Sequence, residues 1–270
     1  MIRVFSAGLA ACVLYAGCTG SIPEQAAADA SADLLPADSS PADVTPAETT
    51  PDAREDSLCA PPAGLSGTPS SIADVVALAN AMLARQPSGQ GLLLPCFLQS
   101  LARPLAVLAS SGPFSAQPAV GQRSPRIFLF SGNLVLSVAT EGLGSDVLEL
   151  AEYVTTTRSI KGEVAFPVEA PLSPAAPYDH VLEPTGTPTT RCALCHSPEE
   201  PVSGDGSLNR YISDVIRPAA DEVVALPFVD AQRTACDPRQ EPWRCLILSA
   251  VFGHGPVTQG SFSKDARTIY

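Results

Sequence analysis

The sequence predicts an α+β protein: an antiparallel, β-rich body with an N-terminal helix, then a lobe of short helices that carries a Cys-x-x-Cys-His motif. Three observations predict it. The stretch from Ile72 to Leu83 repeats apolar residues at helical spacing. Between Gly91 and Val168, short apolar or alternating runs are separated by turn residues. Beyond residue 169 a proline- and threonine-rich stretch leads into renewed helical signals.

The helix start is visible in Ser70-Ser71-Ile72-Ala73-Asp74, where a serine cap precedes an acid in the first turn. Ile72, Val75, Val76, Ala79, Met82 and Leu83 fall on one face, and Gln86-Pro87 ends the pattern. Five strands are expected next, over Leu92–Phe97, Arg126–Phe130, Leu134–Thr140, Val147–Tyr153 and Val164–Val168. Ser131-Gly132-Asn133 and Glu141-Gly142-Leu143-Gly144-Ser145 supply turns, so the runs read as a meander. Residues 169–191 read as a loop. Leu208–Ile216 reads as a short helix stopped before Pro218. Another helix begins at Pro242, ends before Gly253 and buries Trp243, Leu246, Leu248, Val251 and Phe252.

The chain divides into 1–17, 18–58, a body over 59–170 and a lobe over 171–270. Arg3 precedes a short apolar run from Val4 to Tyr15, closed by Ala16-Gly17-Cys18. That order is a secretory signal, too short for a stable span. Ala-Gly-Cys resembles the lipobox of exported bacterial lipoproteins, although Tyr15 departs from the usual leucine or alanine. The resemblance implies cleavage before Cys18 and a lipid on that cysteine. It also implies sorting to the outer membrane, because Thr19 and not an aspartate follows. The expected place is the cell envelope, lipid-anchored, facing the periplasm or the surface.

The net charge of −12 is unevenly spread. Residues 19–58 hold nine acids and one base, Arg54, which leaves about −4 for the rest. That stretch repeats alanine, aspartate and proline with few large apolar residues, the composition of a disordered acidic tether. No basic stripe tracks phosphates, so nucleic acid is not an expected partner.

Cys192-Ala193-Leu194-Cys195-His196 is the one constellation with specific chemistry. Two thiols three positions apart can reach the two vinyl groups of one haem, and the adjacent imidazole then lies under the iron. On these five residues the chain resembles c-type cytochromes. The resemblance implies one covalent haem c, with Cys192 and Cys195 as thioether sites and His196 as proximal iron ligand. It departs from small cytochromes of that family in two ways. A proline-rich loop precedes the motif, and no methionine follows it. Met82 belongs to the apolar helix stripe. His254, in Gly253-His254-Gly255, is the candidate for the far side of the iron. His180 is read first as a hydrogen-bonding loop residue and only second as a ligand. A five-coordinate iron, a Cys192–Cys195 disulfide and a zinc site on Cys192, Cys195, His196 and a fourth ligand such as His180 also stay open.

The chain has eight cysteines. Cys12 leaves with the leader and Cys18 takes the lipid. Apart from the motif, Cys59, Cys96, Cys236 and Cys245 remain, an even number suited to an oxidising compartment. Three pairings are possible. Cys59–Cys96 and Cys236–Cys245 are favoured because each brackets one local unit. The first is expected to staple the N-terminal helix to the first strand.

No Gly-x-Ser-x-Gly elbow, His-Glu-x-x-His, Walker loop or dinucleotide fingerprint is present. Glu199-Glu200 reads as a solvated pair, and Phe114–Pro118 as a loop of no assigned chemistry. The expectation is an electron carrier or redox sensor serving an unnamed protein partner near the membrane. The alternative is a cofactor-free envelope lipoprotein, stapled by disulfides, with a binding or structural role.

Overall fold

In the computed structural model the described residues are 58–184, 189–203 and 208–268. The expected leader, Cys18 and nearly all of the expected acidic tether lie outside them. No helix of the described residues is long and apolar enough to cross a membrane.

The architecture is α+β, built on one large and mostly antiparallel sheet. Strands β1 (Leu105–Ser110), β2 (Arg126–Ser131), β3 (Leu134–Ala139), β4 (Val147–Tyr153) and β5 (Arg158–Ala165) form a meander. The β2–β3 turn is the two residues Gly132-Asn133, with Gly132 at φ 59°. A tight turn of that length matches the twist of the strands only with positive φ.

The chain beyond residue 171 completes both edges of this sheet. Strand β7 (Tyr211–Asp214) pairs with β5, and β6 (Glu200–Pro201) lies outside β7. At the other edge β8 (Val223–Val224) and β9 (Val257–Gln259) both pair with β1, β9 in parallel. The segments 59–170 and 171–270 therefore share one sheet.

Alternation along the strands gives the sheet two unlike faces. Val107, Ile127, Leu129, Leu136, Leu148 and Val164 point to a dry core. Helices α1 (Ile72–Leu83), α2 (Leu94–Gln99), α5 (Leu226–Thr234) and α6 (Pro242–Phe252) contribute to that core. Helix α1 starts with the expected box: Asp74 N–H donates to Ser71 Oγ at 3.1 Å, and Ser71 N–H donates to Asp74 Oδ2 at 3.0 Å. Its first amide, on Ile72, donates to Glu152 on β4 at 2.8 Å.

The second face is mixed. Leu108, Phe128 and Val135 form a small apolar cluster with Phe130, Ala151, Tyr153 and Phe262. Ser137, Glu149, Ser159, Lys161 and Glu163 share that face by strand parity.

Several local expectations are corrected. Leu92–Phe97 is not a strand. Leu92 alone bridges to Val168, and α2 begins two residues later with Pro95 in its first turn, where a missing N–H costs nothing. A short apolar run does not distinguish strand from buried helix. Of Val164–Val168, only Val164 and Ala165 lie in a strand, the end of the longer β5, whose polar residues obscure its start. Leu208–Ile216 is no helix: its centre is β7, consistent with Tyr211 and the β-branched Ile212. The loop 169–191 contains the short helix α3 (Ala176–Asp179), and β1 and α5 fall where no element was expected.

Disulfides join Cys59 to Cys96 and Cys236 to Cys245. Because Cys96 sits in α2, the first ties the chain ahead of α1 to a helix, not to a strand. The second closes the loop between α5 and α6.

Leu136 is fully buried at the centre of the dry face. Leu136→Ala should destabilise the fold by about 2–5 kcal/mol, read as a lower urea midpoint at unchanged slope.

Candidate functional site

The motif forms a single turn, α4 (Ala193–His196), with Cys192 at its N-cap. Both ends of the turn are anchored. On the entry side Thr190 Oγ1 accepts from the Cys192 amide at 3.2 Å. The Glu199 carboxylate accepts from Thr190 N–H at 2.7 Å, Thr190 Oγ1 at 2.6 Å and Thr189 Oγ1 at 2.9 Å. Glu199 is thus a fixed brace and not one of a solvated pair. Glu200 is the exposed one, paired with Arg158 at 3.1 Å. On the exit side the Arg267 guanidinium donates to the carbonyls of Cys195 at 2.8 Å and Ser197 at 3.0 Å.

Asp214, at the end of β7, organises this arrangement. Its carboxylate receives Arg158 at 2.7 Å and Arg267 at 3.0 Å. Its backbone oxygen lies 2.6 Å from His196 Nδ1. A carbonyl can only accept, so Nδ1 carries the hydrogen and Nε2 keeps its lone pair. Burial, followed by the positive charge of Lys161, pushes the imidazole pKa down to about 3. His196 is therefore neutral at physiological pH, the state a metal ligand requires.

Cys192 and Cys195 are both free thiols, half-buried and not bonded to one another. Burial pushes the Cys192 thiol up to about 12, only partly countered by its hydrogen bond to Thr190. Leu194, between the two cysteines, is 91% exposed.

Cys192, Cys195 and His196 all line one cavity of about 410 Å³, a size within the range of small-molecule sites. The mixed face of the sheet supplies its other side. Phe128, Val135, Ala151 and Phe262 form an apolar patch there, with Phe262 edge-on to Phe128 at 5.1 Å. Arg126, Glu149, Lys161 and Glu163 form a charged patch beside it. Arg126 pairs with Glu149, donates to Ser137 at 2.8 Å and stacks 4.8 Å from the Phe128 ring centre. Lys161 Nζ donates to Ser159 Oγ at 2.6 Å, and burial lowers its pKa to about 8. Phe114, Ser115 and Ala116 also line the cavity, so the unassigned loop borders the motif. Gln117 pins that loop by donating to the carbonyls of Gly144 and Val147, at 2.8 and 2.6 Å.

The other histidines are elsewhere. His254 is exposed just beyond α6 and does not line the cavity. His180 directs Nδ1 to Glu163 Oε2 at 2.8 Å and does not line it either. Met82 is fully buried in the dry core. Among the described residues no cluster of three histidine, cysteine or acidic side chains is arranged to hold a metal ion, which leaves the zinc arrangement without its ligand set.

Sequence reasoning missed Arg126, Glu149, Lys161 and Glu163. The available signal was the alternation of β5, Arg158-Ser159-Ile160-Lys161-Gly162-Glu163-Val164, which ordinarily marks a face open to water. Comparison with protein-family models, with curated proteins and with solved structures finds no match.

In the folded chain the Lys161 ammonium should titrate near pH 8, read from the chemical shift of its ε-carbon. An unfolded lysine titrates near 10.5, so the unfolded state holds more protons between the two values. Stability should rise with pH across that window and carry the full burial penalty below it. Lys161→Met should accordingly be more stable than the parent below pH 8, on the order of 3 kcal/mol, with the gap closing towards pH 10.5.

Proposed function

We propose that this chain is an exported, lipid-anchored protein carrying one covalent haem c, and that it transfers or senses single electrons in the cell envelope. The observation that carries this reading is the shared cavity. Two thiols and a neutral imidazole with a bare Nε2 all line it, from one braced turn.

The residues present fit such a group. Cys192 and Cys195 would hold it, each by adding its S–H across a vinyl group, which forms a C–S bond and consumes no oxidant. His196 would be the proximal ligand. The bound iron would supply a one-electron couple. The chain's own part is to exclude water with Phe128, Val135 and Phe262 and to hold the imidazole through Asp214. Arg126, Lys161, Arg191 and Arg217 also line the cavity and suit the carboxylates at a haem edge. No methionine and no second histidine lines it.

The test is expression of the full chain in a host with haem-attachment machinery. The purified protein should be red and should give a c-type pyridine haemochrome. Cys192→Ala with Cys195→Ala should lose covalent haem while keeping the far-ultraviolet dichroism of the fold. The optical band of methionine-ligated ferric haem should be missing, as Met82 sits in the core. A folded but colourless parent protein overturns the reading.

Such a result would leave the second reading, a cofactor-free binding lipoprotein. The charged half of the cavity favours it, since Arg126, Glu149, Lys161 and Glu163 would suit a polar organic ligand. The two disulfides suit either reading.

The anchor rests on the sequence around Cys18. Cys18→Ser should move the protein from the membrane fraction to the soluble periplasmic fraction on cell fractionation. Retention in the membrane pellet would refute lipidation at that residue.

A further inference from the structure

Glu163 connects the cavity to water. Its side chain lines the cavity and is 9% exposed, and its Oε2 lies 2.8 Å from His180 Nδ1. The His180 ring is 39% exposed. The route exists because β7 pairs with β5 only from Arg158 to Ile160. Beyond Ile160, α3 packs on β5 instead, with Pro177 against Gly162, and His180 follows directly from that helix.

The charged groups around Glu163 come from every neighbouring element. They are Glu149 on β4, Lys161 on β5, Arg126 on β2, Arg191 and Cys192 leading into α4, and His180 itself. Most have other partners. Arg126 and Glu149 hold each other, and Lys161 donates to Ser159. Glu163 differs in being joined to an imidazole that reaches solvent. Burial, its largest influence, raises its pKa, while the His180 hydrogen bond lowers it.

An electron placed on a haem seated against this lining is costly unless a positive charge enters with it. We propose that His180 and Glu163 form a proton entry path, so that one-electron reduction of the bound haem is coupled to uptake of one proton on the Glu163 carboxylate. This rests on the haem reading above. A bound haem would supply the one-electron couple, with the electron taken from an external one-electron donor. Solvent protonates His180 at Nε2 as its Nδ1 proton passes to Glu163 Oε2, and imidazole exchange with water restores the tautomer. The cavity then gains one electron and one proton, with no net change in charge.

The experiment is a spectroelectrochemical titration of the haem-loaded full chain over a pH window that opens at the ordinary carboxylate range and runs upward, the direction in which burial moves Glu163. Within that window the midpoint potential should fall with a slope approaching 59 mV per pH unit, the value for a tenfold change in proton activity at one electron. Glu163→Gln, with unchanged haem content, should flatten the slope there. His180→Ala removes a hydrogen bond that favours the ionised carboxylate, so it should move the window to higher pH. A flat profile in the parent overturns the proposal while the red colour upholds the haem reading. A slope that survives Glu163→Gln overturns it as well, and assigns the proton to another group. A colourless parent overturns both readings together.

Discussion

The hydrogen bond from His196 to the backbone of Asp214 is the constraint on which the candidate site depends. Asp214 is the last residue of a strand, and its position follows from pairing with Arg158. The same residue receives two guanidinium groups on its carboxylate, one of which also grips the carbonyls that leave the motif. A four-residue helix has no stability of its own. Here the sheet edge holds it, so the direction of the imidazole is set by strand register and not by local propensity.

The mixed face of the sheet is the energetic counterpart of that constraint. A fold of this size could cover both faces with apolar residues. Instead this one places Arg126, Glu149, Lys161 and Glu163 beneath the motif, where Lys161 and Glu163 are penalised by burial. Replacing such groups by well-packed apolar residues is often neutral or stabilising. Titrating groups perturbed in this way beside a cavity mark it as a candidate site. The dry core on the opposite face, built from the buried faces of helices and strands, carries the folding energy that this arrangement needs.

Legibility differed sharply between local and distant features. The helix over Ile72–Leu83, the strands at 126–131, 134–139 and 147–153 and the helix from Pro242 are all periodic or capped, so nearby residues announce them. The misread segments lack such signals. Leu92–Phe97 is too short and too apolar to show a period. Tyr211–Asp214 becomes a strand because a partner more than 50 residues upstream offers an open edge, and no local rule contains that partner.

The amino-acid sequence by itself determined the chemistry that can occur: two thiols and an imidazole at fixed spacing, a lipobox-like leader, and an α+β pattern of apolar residues. These are properties of neighbours along the chain, and short-range geometry is enough to express them. Only the tertiary structure decided which nitrogen of His196 is bare, that a cavity lies beside it, and that His254 stands apart while Glu163 borders it. Those outcomes come from pairing and packing between residues far apart in the chain. Hydrogen-bond direction and burial are defined only once the strands have met.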